Sequence, residues 1–336
     1  MNILVTGGAG FIGSELSKFL VKKGHKITIL DNLEYGYLDN IEDEKKLIKN
    51  FIEDDIRSVN FDKILKNIDI VYHFAGISSL PECEANPSKA FDINCTGLIR
   101  LLESAKKKNI KKIFFSSTSA VYENSKKKFH SEDEIVNPNL IYSNTKKCAE
   151  NICKSFIENY NMNITIFRFF NVFGPHQDFK RAYPPFTSYV IKELINGNKP
   201  IIYNLTDSKR DYIFIDDLIY YLNFFLISKN KFKGEIFNLC SNKGFSTVDI
   251  LNIMFNEFSV KDFYKQGDSN KFWDKYSELF KFRHKLDRKR VKQEVFKNSI
   301  GSNKKLVKIT KYKPKTNLKY AIKKIIDFQK KSTNNE

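Results

Sequence analysis

Thr6-Gly7-Gly8-Ala9-Gly10-Phe11-Ile12-Gly13 stands between the short apolar run Asn2-Ile3-Leu4-Val5 and a segment of helical spacing in which Phe11, Ile12, Leu16, Phe19 and Leu20 share one face. The helical pattern ends near Lys22-Lys23-Gly24. Strand, glycine turn and helix follow in the order that a dinucleotide-binding unit requires. Glycines suit this turn because it is tight, because the backbone must approach a pyrophosphate closely, and because the helix must pack near the strand. A second apolar run, Ile27-Thr28-Ile29-Leu30, ends in Asp31, 18 residues past Gly13. A carboxylate there accepts hydrogen bonds from ribose hydroxyls and repels a 2′-phosphate, which predicts NAD in preference to NADP.

Strand-like runs recur at Asn50 to Ile52, Ile68 to Phe74, Lys112 to Ser116, Ile164 to Phe169 and Glu235 to Leu239, with helical stretches between most of them. This alternation predicts an α/β fold built on a doubly wound parallel sheet. Ligands of such sheets collect beyond the carboxyl ends of the strands. The segments to inspect are therefore Asp55-Ile56, Phe74-Ala75-Gly76-Ile77-Ser78, Ser116-Ser117-Thr118 and Phe170-Asn171, most of them small or polar. Asn94 precedes a helix that ends in Lys106-Lys107-Lys108. It reads either as a solvated helix residue or as an amide that binds the adjacent loop and the nicotinamide ribose region.

At 336 residues the chain can bury a large core, in two lobes or in one α/β unit with a smaller appended part. The cysteines Cys83, Cys95, Cys148, Cys153 and Cys240 are odd in number and form no CxxC pair, which argues against a disulfide framework and a metal site and for a reducing cytoplasm. The start Met1-Asn2-Ile3-Leu4-Val5 lacks the succession of a signal peptide, and no apolar run reaches the length of a membrane span, so no membrane partner is expected. Of the formal charge of +18, residues 261–336 carry +15, with 23 Lys and Arg against 8 Asp and Glu. That excess reads as a nucleic-acid site, as a lobe receiving an anionic substrate, or as a lysine-rich solvated surface. The lysines are spread out without the aromatic interleaving of a base-stacking platform, so no nucleic-acid partner is expected.

Tyr142-Ser143-Asn144-Thr145-Lys146 places a phenol and an ammonium four residues apart, on one helix face. A phenol loses its proton near pH 10 in water, and a neighbouring cation favours phenolate and moves the pKa toward working pH. The pair predicts a general acid/base, although the same spacing also arises on ordinary helix surfaces in a chain with 16 Tyr.

With these residues assembled, the chain resembles the extended short-chain dehydrogenase/reductase family, in particular its NAD-dependent nucleotide-sugar epimerase and dehydratase group, typified by UDP-glucose 4-epimerase. The resemblance spans nearly the whole chain. It rests on Thr6 to Gly13, Asp31-Asn32-Leu33, Asp55-Ile56-Arg57, His73-Phe74-Ala75-Gly76, Ser116 to Tyr122, Tyr142 to Lys146, Arg168-Phe169-Phe170-Asn171-Val172-Phe173-Gly174-Pro175 and Arg210-Asp211-Tyr212. It implies that Gly7, Gly10, Phe11, Ile12, Gly13, Asp31, Asn32, Asp55, Ile56, Phe74, Ala75, Gly76, Ser78, Asn94, Ser116 and Phe170 bind NAD together with Tyr142 and Lys146. It further implies that Lys146 holds Tyr142 in its reactive state, that Thr118 hydrogen-bonds the reacting sugar hydroxyl, and that Tyr142 removes its proton as hydride leaves for NAD. Asn171, Arg210 and Arg290 are the implied substrate ligands, with Arg288 an alternative to Arg290 for a second phosphate arginine.

Family dehydratases carry an Asp-Glu pair after the Thr, and this chain has Ser119-Ala120. The expected reaction is therefore C4 epimerisation of a nucleotide sugar, a UDP-hexose being favoured, through a transient 4-keto sugar. A dehydratase or reductase of the same group is the alternative, and a silent dinucleotide-binding scaffold that uses its basic end on nucleic acid is the rival of another class. The resemblance implies a Rossmann domain over 1–170 with 211–240 returning to it, a substrate lobe over 171–210 and 241–330, a disordered tail over 331–336, and a homodimer formed through Pro87 to Lys108 and Tyr142 to Tyr160. Glu123 stands where the family commonly has Gly, and Asn204 to Lys209 replaces the usual Gly-Asp-Gly stretch.

Overall fold

A computed structural model of the chain describes residues 1–44, 48, 50–181 and 183–333. Strand β1 (Asn2–Thr6) buries Ile3, Leu4 and Val5 completely, because a parallel strand covered on both faces has no polar side to show. Gly7 turns the chain in a left-handed conformation (φ +69°), and helix α1 (Phe11–Lys22) starts at Gly10. The helix stops in a Schellman arrangement: Gly24, at φ +82°, donates its N–H to Val21 O, and His25 donates to Leu20 O. The chain then returns as β2 (Lys26–Asp31), parallel to β1.

β3 (Asn50–Glu53), β4 (Ile70–His73) and β5 (Lys112–Thr118) follow, with further strands at Ile164–Phe169 and Ile236–Leu239. All seven pair in parallel, in the order Ile236–Leu239, Ile164–Phe169, β5, β4, β1, β2, β3. The order reverses direction at β1, as it does in doubly wound sheets, and puts the glycine turn at the switch point. β4 is shorter than Ile68 to Phe74, whereas β5 runs two residues past Ser116 and makes Thr118 its last residue, opposite Phe169.

The chain divides into two compact units, one of residues 1–124, 132–169 and 219–239, the other of 125–131, 170–218 and 240–336. The first unit holds the seven-stranded sheet. Its return begins at Ile219 and not at 211, because Lys209–Phe214 pairs with Asn171–Phe173 and Gly244–Ser246 in a small sheet of the second unit. Residues 125–131 join the second unit, where Phe129–His130 pairs with Ile300–Gly301. The rest of that unit is mostly helical, with Phe186–Ile195, Thr247–Glu257, Arg288–Phe296, Lys304–Thr310 and Leu318–Thr333. The final helix carries order to Thr333, beyond the point where a disordered tail was expected; its apolar stripe of Ala321, Ile322, Ile325 and Ile326 is buried and holds it down. Residues 334–336 of the expected tail lie outside the described residues.

Candidate active site

The groove at the switch point, about 610 Å³, is lined by Gly7, Gly10, Asp31, Asn32, Asp55, Ile56, Phe74, Ala75 and Gly76, all read as cofactor residues from the sequence. Its backbone is bare for a steric reason. A Cβ on Gly7 would stand 2.7 Å from Ala75 N, and one on Gly13 would stand 2.1 Å from Gly7 O. β1, α1 and the loop after β4 therefore meet at van der Waals contact, and only glycine lets main-chain N–H groups and the helix start face a diphosphate.

Asp31 is 8% exposed and accepts hydrogen bonds from Ala9 N and Leu33 N, each at 2.9 Å. Burial holds its pKa above the ordinary carboxylate value, while the main-chain donors act the other way. Asn32 donates to Asp55 at 3.0 Å, and Asp55 also receives a fork from Arg57 that, with smaller contributions, brings its pKa down to about 2. Glu34, Tyr35, Gly36, Asp54 and Ile93 line the same groove and escaped the sequence reading, while Ile77, which also lines it, lies in a segment that the strand pattern singled out. Glu34 to Gly36 follow directly on Asp31-Asn32-Leu33, which was the available signal. The carboxylates suit ribose hydroxyls and disfavour a 2′-phosphate, and the bare glycine backbone suits a diphosphate, so the residues present fit the cofactor.

The helix Ile141–Tyr160 carries both Tyr142 and Lys146. Its buried stripe runs Tyr142, Thr145, Lys146, Ala149, Cys153 and Ile157, the spacing of an ordinary core-facing helix with two reactive groups set into it. Thr118, at the end of β5, lies near enough to the Tyr142 phenol to hold its pKa down, and it accepts Ala120 N at 3.1 Å. Lys146 donates to Ser116 O at 2.9 Å. Thr118, Tyr142, Lys146 and Ser116 are thus brought together, and a Cβ on Gly76 would lie 3.5 Å from Lys146 Nζ.

One expectation is reversed. The Tyr142 pKa is not drawn toward neutrality by Lys146 but pushed up to about 12, because burial outweighs the lowering by the nearby Thr118. Burial acts on Lys146 as well and depresses its pKa to about 8.

Asn94 settles its two readings. It is 2% exposed, in a π-helical segment (Asp92–Thr96), where it accepts Ile77 N at 3.0 Å and donates to Ile77 O and Thr145 Oγ1. Its amide ties the loop after β4 to the Tyr142 helix, and it does not line the groove. Ser116 donates to His73 O, and Phe11 and Ile12 form the first turn of α1. Ser78 is exposed and lines no part of the groove. Phe170 belongs to the second unit and is buried there, 2.7 Å from where a Cβ of Gly301 would be, so it is a packing residue in this structure.

In the second unit Asn171 donates to Asp211 O at 2.7 Å. Asp211 is fully buried and gathers Ser241 N, Ser241 Oγ, Asn242 N and Gly301 N, which fixes the strand that carries Arg210. The Arg210 guanidinium donates to Glu294 O, and Arg290 pairs with the Glu294 carboxylate at 3.0 Å, with Lys297 on its other oxygen. Arg288 turns instead to Asp274 and Asn270 O. Arg210 and Arg290 therefore share one neighbour, Glu294, and Arg288 stands apart from it.

Fold and groove define an NAD-binding enzyme of the Rossmann type, with Thr118, Tyr142 and Lys146 gathered at the end of β5. Residues 3–240 match the profile of the NAD dependent epimerase/dehydratase family, and the chain belongs to that family. A UDP-glucose 4-epimerase of Lactobacillus helveticus is 34% identical over 267 residues, covering 75% of this chain and 80% of that protein. Among solved structures, a UDP-N-acetylglucosamine 4-epimerase from Methanobrevibacter ruminantium M1 in complex with UDP-N-acetylmuramic acid superposes with a TM-score of 0.84 at 28% identity, over 98% of each chain. A UDP-glucuronic acid 4-epimerase from Bacillus cereus, solved in complex with NAD, gives a TM-score of 0.82 at 25% identity over 98% of this chain and 99% of that one. NAD is the cofactor. Among the described residues no His, Cys, Asp or Glu cluster suits a metal ion, no disulfide joins the five cysteines, and no helix is long and apolar enough to cross a membrane.

Proposed function

We propose that this chain is a nucleotide-sugar 4-epimerase acting on a UDP-hexose through a transient 4-keto sugar. The observation that carries the reading is the gathering of Thr118, Tyr142 and the buried Lys146, which donates to Ser116 O, at a turn whose next residues are Ser119 and Ala120. Gly7, Gly10, Gly13, Asp31 and Asp55 hold NAD. When bound, NAD supplies the hydride acceptor and donor and, as its oxidised cation, a positive charge that favours phenolate. Tyr142 takes the proton of the C4 hydroxyl and later returns it to the same oxygen. Thr118 orients that hydroxyl, and Lys146 keeps an ammonium beside the phenol. Ser119-Ala120 offers no carboxylate to eliminate water, and the nearby Glu123 is committed to the start of the Tyr142 helix. In the second unit Asn171, Arg210 and Arg290 receive the nucleotide diphosphate, Arg210 with a planar donor fork suited to phosphate oxygens.

The test is turnover of a panel of UDP-, dTDP-, GDP- and CDP-hexoses without added cofactor. The expected product has the mass of the substrate and an inverted C4, and Tyr142→Phe retains NAD while losing turnover. A product lighter by one water would replace this reading with the dehydratase, and full activity in Tyr142→Phe would remove Tyr142 as the base.

A further inference from the structure

The helix that carries Tyr142 begins badly by local rules. Its N-cap is Leu140, which has no side-chain acceptor for the free N–H groups of the first turn. Two carboxylates from elsewhere do that work. Glu123 Oε1 accepts the main-chain N–H groups of Asn139 and Leu140, the latter at 2.7 Å, and Oε2 accepts the Ser143 hydroxyl at 2.9 Å. Glu84 accepts Ile141 N at 2.6 Å.

Glu123 differs from Glu84 in where its own backbone is fixed. It closes the short turn Ser119–Tyr122, donating its N–H to Ala120 O at 3.0 Å, while Thr118 at the other end of the turn accepts Ala120 N. Tyr122, inside the turn, is anchored through its hydroxyl to Asn238 and Arg168. Asn124 adds a second strap, donating to Asn137 O at 2.8 Å. Thr118 and Glu123 thus sit at opposite ends of one rigid turn, and the Glu123 side chain grips residues on both sides of Tyr142 in sequence.

We infer that Glu123 is a positioning residue which fixes the first turn of the Tyr142 helix against the Thr118 turn and thereby sets the placement of the Tyr142 phenol relative to Thr118. The inference rests on the proposed roles of Thr118 and Tyr142. A glycine, the residue common at this place in the family that the chain resembles, has no side chain with which to make this tether.

The test compares wild type, Glu123→Ala, Glu123→Gln and Ser143→Ala as NAD-loaded proteins. Glu123→Gln keeps an acceptor for the two N–H groups and offers its amide to the Ser143 hydroxyl, so it removes the charge and leaves the tether. The first readout is the titration of Tyr142 by NMR of 13Cζ-labelled tyrosine, the resonance being assigned by its loss in Tyr142→Phe. Moving the phenol away from Thr118, which holds its pKa down, raises the midpoint, whereas removing a negative charge alone lowers it or leaves it unchanged. The expected result is a higher midpoint in Glu123→Ala and no rise in Glu123→Gln. The second readout is kinetic: Glu123→Ala loses about tenfold or more in kcat with little change in KM, and the rising limb of its pH–rate profile moves to higher pH. Should Glu123→Ala fail to fold, Ser143→Ala, which deletes one contact, is expected to move both readouts the same way by less. An unchanged midpoint in the alanine variants, or Glu123→Gln behaving like Glu123→Ala, would overturn the inference. If the wild type turns over no nucleotide sugar, the proposed function fails, and the titration alone still decides the tether.

Discussion

Lys146 is 5% exposed, and burial lowers its pKa from 10.5 to about 8. Between those two pH values the unfolded chain holds a proton on Lys146 that the folded chain has released. The sign follows from linkage: where the unfolded state binds more protons, stability rises with pH. The cost of burying this ammonium is thus present in full below pH 8 and fades as pH rises toward 10.5. Wild type is expected to gain on Lys146→Met by up to a few kcal/mol over that window, read by urea unfolding at pH 7, 9 and 10.5. Parallel stability profiles would show that the lysine is not desolvated as the structure has it. The residue kept for chemistry weakens the fold at neutral pH, a trade common at active sites.

Two glycines, one helical and one left-handed, separate cradle from turn at the scale of elements. Gly13 lies in α1, where a Cβ would collide with Gly7 O at 2.1 Å, and neither backbone can move without opening the contact among β1, α1 and the loop after β4. Gly24, at φ +82°, has nothing within 4 Å of the Cβ position. Gly13→Ala is expected to purify without NAD, seen as a lost absorbance at 260 nm and no cofactor released on denaturation. Gly24→Ala is expected to keep its NAD and lose only about 1–2 kcal/mol, the left-handed backbone penalty. Equal NAD content in the two variants would show that the cradle is not set by steric closure. The π-helical segment around Asn94 is the other device at this scale: its extra residue per turn turns the amide toward Ile77 and Thr145, a twist that no 3.6-residue pattern in the sequence discloses.

In the first unit a buried polar chain runs across the sheet. Ser117 donates to Glu150 at 2.6 Å, Glu150 takes a two-pronged pair from Arg168 at 2.8 Å, Arg168 reaches Tyr122 Oη at 2.7 Å, and Tyr122 donates to Asn238 at 2.9 Å. Glu150 is one turn beyond Lys146, and it is 0% exposed while Arg168 is 2%. The chain joins β5, the Tyr142 helix and the strands Ile164–Phe169 and Ile236–Leu239. Arg168→Met would strip Glu150 of its two-pronged buried partner and leave it Ser117 and the Lys147 ammonium at 4.0 Å, at a cost of about 3–5 kcal/mol. Arg168→Met combined with Glu150→Leu is expected to be more stable than the sum of the two single changes, measured by denaturant midpoints. Strict additivity would mean that the two side chains are not coupled.

Much of this site was open to reading because local rules write it. The glycines of the first turn, Asp31 at the end of β2, and the Tyr142–Lys146 spacing each serve a short-range need, whether a tight turn, a close approach or one helix face, and such needs leave fixed residue types at fixed offsets. The strand runs were legible for the same reason, since buried parallel strands are apolar throughout. The sequence by itself determined the class of fold, the cofactor and the helical spacing of Tyr142 and Lys146. Only the tertiary structure decided what surrounds them: that burial pushes the Tyr142 phenol up while Thr118 holds it back, that Asn94 and Phe170 are structural in their settings, that Arg290 and not Arg288 joins Arg210 at Glu294, and that Glu123 caps the helix of Tyr142 from another turn. Each of these depends on groups far apart in the chain meeting in a low-dielectric interior, where desolvation and a single hydrogen bond outweigh sequence spacing.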